Sequence, residues 1–144
     1  MNRNLGGFTI VEVMIVLVVI GGLATFAAFT YHSSTSRTRD AQRQSDLRNY
    51  QNALEIYNTV NNTYPVQDTA AVDVTTLCTT LNMTTAECKT DPQSGVYRYR
   101  SDSNGLSYNL WVFLEGSTNY FILCSNGEAG FVTAEPPNGA CPDF

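Results

Sequence analysis

The apolar positions of this chain change rhythm twice. From Phe8 to Tyr31 nearly every residue is apolar, and Glu12 is the single charge in that run. A stretch of this length predicts an α-helix able to cross the hydrocarbon core of a bilayer. Beyond Tyr31 the apolar residues thin to Leu47, Tyr50, Leu54 and Tyr57, which advance by three, four and three positions. That spacing marks one face of a helix. Arg43, Gln44, Arg48, Gln51 and Glu55 occupy the opposite face, so residues 32–62 are predicted to continue as an amphipathic helix. It should end near Asn61-Asn62, because Tyr64 precedes Pro65 and is biased away from helical dihedrals.

From Thr63 to Gly95 the chain is rich in Thr, Asp and Asn, and a short helix is expected over Val74–Asn82, where Leu77 and Leu81 lie four apart. The rhythm then shifts to a period of two. Val96–Ser101, Leu106–Leu114, Tyr120–Cys124 and Phe131–Ala134 are dense in aromatic and β-branched residues, and turn sequences such as Asp102-Ser103-Asn104-Gly105 and Asn126-Gly127 separate them. These predict an antiparallel meander. Tyr97 and Tyr99 alternate with Arg98 and Arg100, while Tyr108, Leu110, Val112 and Leu114 share a face, as in a sheet with one side buried. The stripe from Leu47 to Tyr57 is the surface available to cover it. The expected fold is therefore α+β, a long N-terminal helix with its second half packed on a C-terminal antiparallel sheet.

Composition narrows the partners. In 144 residues the formal charge is −5, and Arg37, Arg39, Arg43 and Arg48 form a local cluster with Asp40 and Asp46 interleaved. No extended basic face for nucleic acid is predicted, and solvated helix pairs explain the cluster. The four cysteines, Cys78, Cys88, Cys124 and Cys141, all follow the apolar run, without a CxxC pair and away from His32, the one histidine. Zinc is disfavoured, and disulfides formed outside the cytoplasm fit better.

Glu12 is the anomaly. A carboxylate within lipid is costly, so it is read first as a functional group in need of a partner. A cleaved secretory signal fits badly, since Arg3 is a weak basic region and the apolar run is long. A plain membrane anchor accounts for the length but leaves Glu12 and Gly6-Gly7 without a reason.

A short polar leader ending in Gly7, followed by Phe8-Thr9-Ile10-Val11-Glu12 and an apolar helix, resembles the class III signal of type IV pilins and type II secretion pseudopilins. The resemblance extends through Ala53-Leu54-Glu55-Ile56-Tyr57 and Asn61-Asn62-Thr63-Tyr64-Pro65, and weakly to Asp91-Pro92 and Gly95-Val96-Tyr97-Arg98-Tyr99. It implies a pilin "ladle" with residues 1–7 as leader, 8–31 as membrane and filament-core helix, 32–62 as its amphipathic half and 63–144 as the globular, disulfide-closed region. It also implies cleavage between Gly7 and Phe8 by prepilin peptidase, N-methylation of Phe8, and assembly into a helical homopolymer in which Glu12 of one subunit pairs with the Phe8 ammonium of its neighbour.

Further implied partners are an inner-membrane assembly platform, minor pilins and, before assembly, the lipid bilayer; the filament would then be extracellular or periplasmic. The family often has proline in this helix where the chain has Phe29, so no proline kink is expected. Gly21-Gly22 either loosens the helix or allows close helix packing, and both readings stand. The pairing expected is Cys78 with Cys88 and Cys124 with Cys141, since neighbours in sequence need least rearrangement and many pilins close a C-terminal loop this way.

Other chemistry is weaker. A lone His32 beside the apolar run gives no basis for a Ser-His-Asp triad, and no catalytic residues are assigned. Pseudopilins can hold calcium in a sheet loop, but Glu128, Asp143, Glu135 and Asp102 lack the compact spacing that six to eight oxygen ligands need. No cofactor is expected. Tyr97, Tyr99, Tyr108 and Trp111 read as core. The chain is thus read as a structural subunit of a type IV pilus-like filament, not an enzyme. The alternatives are a major pseudopilin of a secretion or DNA-uptake pseudopilus and, from another class, a bitopic membrane-anchored binding domain.

Overall fold

The computed structural model describes residues 7–136, 141 and 142, and the side chains at 28–33 are outside the description. Residues 1–6, on which most of the expected leader falls, and residues 137–140, 143 and 144 also lie outside the described residues. The chain divides into two compact units, Met1–Thr35 and Ser36–Phe144. Helix α1 covers Ile10–Asn61 and so contributes to both. It continues without interruption through Gly21 and Gly22.

In the first unit the helix carries no buried residue among those described, and Ile10–Ala27 is long and apolar enough to cross a membrane. In the second unit the predicted stripe is in place. Leu47, Tyr50 and Leu54 are fully buried, and Tyr57 packs at the margin of the same cluster. The helix stops where Asn62 takes a left-handed φ of 57° and donates its N–H back to the Asn58 carbonyl at 2.8 Å. Asparagine tolerates that conformation better than most side chains, which makes it a suitable residue after a helix. The Tyr64 N–H then bonds to the Gly105 carbonyl at 2.8 Å, tying the helix exit to the sheet.

Five antiparallel strands follow in sequential order: β1 Val72–Asp73, β2 Arg98–Ser101, β3 Tyr108–Phe113, β4 Tyr120–Cys124 and β5 Ala129–Val132. Tyr97, Tyr99, Tyr108, Leu110, Val112, Leu114, Phe121 and Leu123 join the α1 stripe in one core. The buried tyrosines keep their hydroxyls paired. Tyr50 donates to the Lys89 carbonyl, Tyr97 to Asp46, Tyr99 to the Pro65 carbonyl, and both Tyr64 and Tyr108 to Glu55. A buried hydroxyl without a partner would cost about 1–3 kcal/mol. At the β2–β3 turn Gly105 has φ +65°, and a Cβ there would stand 2.6 Å from the Tyr64 carbonyl oxygen. Glycine is required on both counts.

Several sequence expectations need correction. Val74–Asn82 is not an α-helix. A 3-10 helix covers Val74–Leu77, opened by Asp73 accepting from the Thr75 N–H, and turns lead on to Asn82 at φ 54°. Threonine-rich sequence competes for backbone hydrogen bonds and gives a helix little support. The final strand is Ala129–Val132 rather than Phe131–Ala134, because it begins straight after the Asn126-Gly127 turn and places Phe131 opposite Phe121. β2 and β3 are shorter than expected, and β1 lies in the Thr-, Asp- and Asn-rich stretch, where no strand is predicted.

The sheet is also buried on both faces at its centre. Trp111, Ile122 and Cys124 form a second cluster on the side away from α1, covered by Ala71, Tyr120, Val132 and Cys141. Cys124 is bonded to Cys141 and Cys78 to Cys88. Trp111 donates its indole N–H to Glu135 at 3.2 Å. Finally, Arg43, Asp40 and Asp46 do not lie on a solvated face: all are buried.

Candidate assembly site

At the start of α1 the sequence Thr9-Ile10-Val11-Glu12 forms a capping box. The Thr9 N–H and hydroxyl both donate to Glu12 Oε2, at 2.9 and 2.7 Å, and the Glu12 N–H donates back to Thr9 Oγ1 at 3.3 Å. Threonine with glutamate three positions later satisfies otherwise open N–H groups of the first turn, and a carboxylate there complements the positive end of the helix dipole. The sequence reading missed this, although the Thr-x-x-Glu signature was legible. Gly7 and Phe8 immediately precede the box outside the helix, and Phe8 is 86% exposed. The structure therefore brings Phe8, Thr9 and Glu12 together at the border of the apolar helix, while the side chain of His32 is outside the described residues.

A second polar cluster, within the globular unit, was misread. Arg43 lies at its centre, forming a two-point pair with Asp91 at 2.5 and 3.1 Å, an i−3 pair with Asp40 at 2.8 Å, and a pair with Glu115. Arg39 adds a 2.6 Å bond to Glu115. Asp40 also accepts the Glu115 and Gly116 N–H groups at 3.0 and 2.8 Å, and Asp91 accepts those of Gln93 and Gly95 at 2.8 and 2.9 Å. Burial works against the Asp91 carboxylate, but bonds from Arg43, Gln93 and Gly95 outweigh it and lower its pKa. Hydrogen bonds from Arg39 and Arg43 lower that of Glu115. Helix, connecting loop and β3–β4 turn are thereby fastened at one point.

The acidic residues considered for calcium are dispersed. Asp102 accepts the Leu106 and Ser107 N–H groups in its own turn, Glu128 bonds to Asn126, and Glu135 receives the Trp111 N–H. Asp143 lies outside the described residues. Among the described residues no group of three or more His, Cys, Asp or Glu side chains is arranged to hold a metal.

The chain is similar to type II secretion system core protein G of Vibrio cholerae serotype O1, with 28% identity over 130 residues, covering 89% of this chain and 86% of that protein. The protein of the same name from Aeromonas hydrophila is 33% identical over 67 residues, 46% of this chain. The match spans 47% of the Aeromonas protein, about half its length. Both relatives bear the name of a type II secretion core protein, and their similarity to this chain supports its resemblance to the type IV pilin and pseudopilin family. No family model and no solved structure matches it. The apolar helix begins at a capped Thr9–Glu12 turn, and the second unit is a meander covered by α1 on one side and by Ala71, Val132 and Cys141 on the other.

Proposed function

We propose that this protein is a structural filament subunit, cleaved between Gly7 and Phe8 by prepilin peptidase, methylated at Phe8 and assembled through packing of its N-terminal helices. The observation that carries this reading is Ile10–Ala27: an apolar helix without a buried residue, beginning with a carboxylate, in a chain whose second unit has a complete core of its own. Such a helix needs lipid before assembly and other subunits after it. Glu12 of one subunit then meets the Phe8 ammonium of its neighbour, so two charges that are each costly in an apolar medium compensate one another. The name borne by both relatives favours the pseudopilus form, a periplasmic filament of a secretion system, over a long surface pilus.

Intact mass of the membrane-extracted protein tests the reading. Loss of residues 1–7 and gain of one methyl group is expected, and Gly7→Leu should leave the uncut precursor in the membrane. Normal processing of that variant would overturn the proposed cleavage. An unprocessed wild-type chain, absent from sheared fibres in the electron microscope, would support an anchored binding domain instead.

A further inference from the structure

Met83 carries the one sulfur of the second unit that is not in a disulfide. All four cysteines are paired, Cys78 with Cys88 and Cys124 with Cys141, and of the other methionines Met1 falls in the expected leader and Met14 on the apolar helix. Met83 stands inside the loop that the Cys78–Cys88 bond closes. Its side chain is half-buried at the margin of the main core and also lines a solvent-open cavity of about 450 Å³, shared with Asn49, Asn52, Asn82 and Lys89.

We propose that Met83 is a reversible oxidation site: a small hydroperoxide reaches its sulfur through the cavity, and the amides of Asn49, Asn52 and Asn82 and the Lys89 ammonium receive the new sulfoxide oxygen. The O–O bond of the peroxide breaks, one oxygen bonds to the Met83 sulfur, and the remainder leaves as water or an alcohol. The thioether gives up two electrons and the peroxide takes them, so the step needs no other reactant. This inference is independent of the filament reading.

Access governs the reaction, because the oxidant must meet the sulfur lone pair, and the product is polar. In a sealed core that polarity would be left without a hydrogen bond and would disrupt packing. Here donors are at hand, since carboxamide and ammonium groups donate and a sulfoxide oxygen accepts. The loop is also held independently of the thioether. The Met83 N–H donates to the Cys78 carbonyl at 2.9 Å, the Leu81 N–H to the Leu77 carbonyl at 2.8 Å and the Tyr50 hydroxyl to the Lys89 carbonyl at 2.6 Å. Oxidation therefore makes the cavity more polar without releasing the loop.

The test exposes the full chain in detergent to hydrogen peroxide, with free methionine alongside as a check on the oxidant, and follows it by intact mass, peptide mapping and thermal melting. Wild type should gain one oxygen on the Met83 peptide and keep its melting temperature. A pair of methionine sulfoxide reductases, one for each epimer, should remove that oxygen from the folded protein. The double variant Asn49→Leu, Asn52→Leu should still be oxidised, but its oxidised form should melt below its reduced form, because the oxide has lost two of its donors.

A Met83 peptide that stays unmodified while the free methionine is consumed would overturn the site. A wild type that melts lower once oxidised, or a double variant whose two forms melt alike, would overturn the part assigned to the cavity. An oxygen that the reductases remove only after unfolding would overturn the reversibility.

Discussion

Ile10–Ala27 and Ser36–Asn61 belong to one helix, yet they obey different rules. In the first segment every described position is exposed, with Val18 at 76% and Leu23 at 65%, whereas in the second Leu47, Tyr50 and Leu54 are at 0%. The second segment folds because its own chain supplies a sheet to cover its stripe. Nothing described in the first unit plays that part, and its apolar side chains are left for lipid or for other molecules. Helical periodicity therefore has two meanings here: an all-round apolar helix announces an external environment, and an amphipathic one announces an internal partner.

Separating the segments gives the largest expected effect. A fragment beginning at Ser36 retains the stripe, the sheet, both disulfides and the Arg43 cluster, so it should be soluble and melt cooperatively, while the whole chain should require detergent. Circular dichroism and sedimentation of the oxidised fragment check this. An unfolded or aggregated fragment would erase the distinction between the two parts of the helix.

Arg43→Ala comes next. It leaves Asp40, Asp91 and Glu115 without their shared cation, and removing one member of a buried charge cluster costs about 3–5 kcal/mol. Urea unfolding of the fragment should show the loss, and membrane insertion of the full chain should be unaffected. A change under about 1 kcal/mol would mean that the cluster is exchangeable with water, as surface pairs are.

Titration of the fragment sharpens the same contrast. Asp91 and Glu115 have folded-state pKa values below their ordinary ones. Their contribution to stability is therefore complete above the unfolded-state values, roughly pH 4–4.5, and is lost as the pH falls through the lower folded values. The tyrosines act at the other extreme. Burial raises Tyr50 and Tyr64 to about 12, and Tyr97, Tyr99 and Tyr108 further, so their contribution is full below roughly pH 10 and declines as the pH rises through the folded values. Thermal melts across this range should show a plateau bounded by acid and alkaline losses.

The smallest effect is expected at Val60, an apolar residue on the second segment that is 76% exposed. Val60→Thr should change fragment stability by no more than about 0.5 kcal/mol. A larger loss would show that the exposed side of this segment is covered after all.

Much of this was legible in the chain because it depends on local period and order. The alternation at Tyr97 to Arg100 marks a strand with one buried side, the Leu47 to Tyr57 spacing marks the covered face of the helix, and Tyr64-Pro65 marks its exit. Thr-x-x-Glu at residues 9–12 was equally local and could have been read as a cap. The ion cluster was not legible, because Arg43 looks like any arginine on a polar helix face until Asp91 and Glu115 arrive from positions 48 and 72 residues away. What covers the second face of the sheet was hidden for the same reason: Trp111 reads as core by its type, but it lies on the face opposite Leu110 and Val112, and only the return of the chain at Val132, Glu135 and Cys141 buries it there. Sequence by itself determined which segments are helix and strand and which one belongs outside water, since backbone periodicity and hydropathy are properties of neighbours along the chain. Tertiary structure decided which charges are buried and paired, since the energy of a charge depends on what distant segments place within a few ångströms of it.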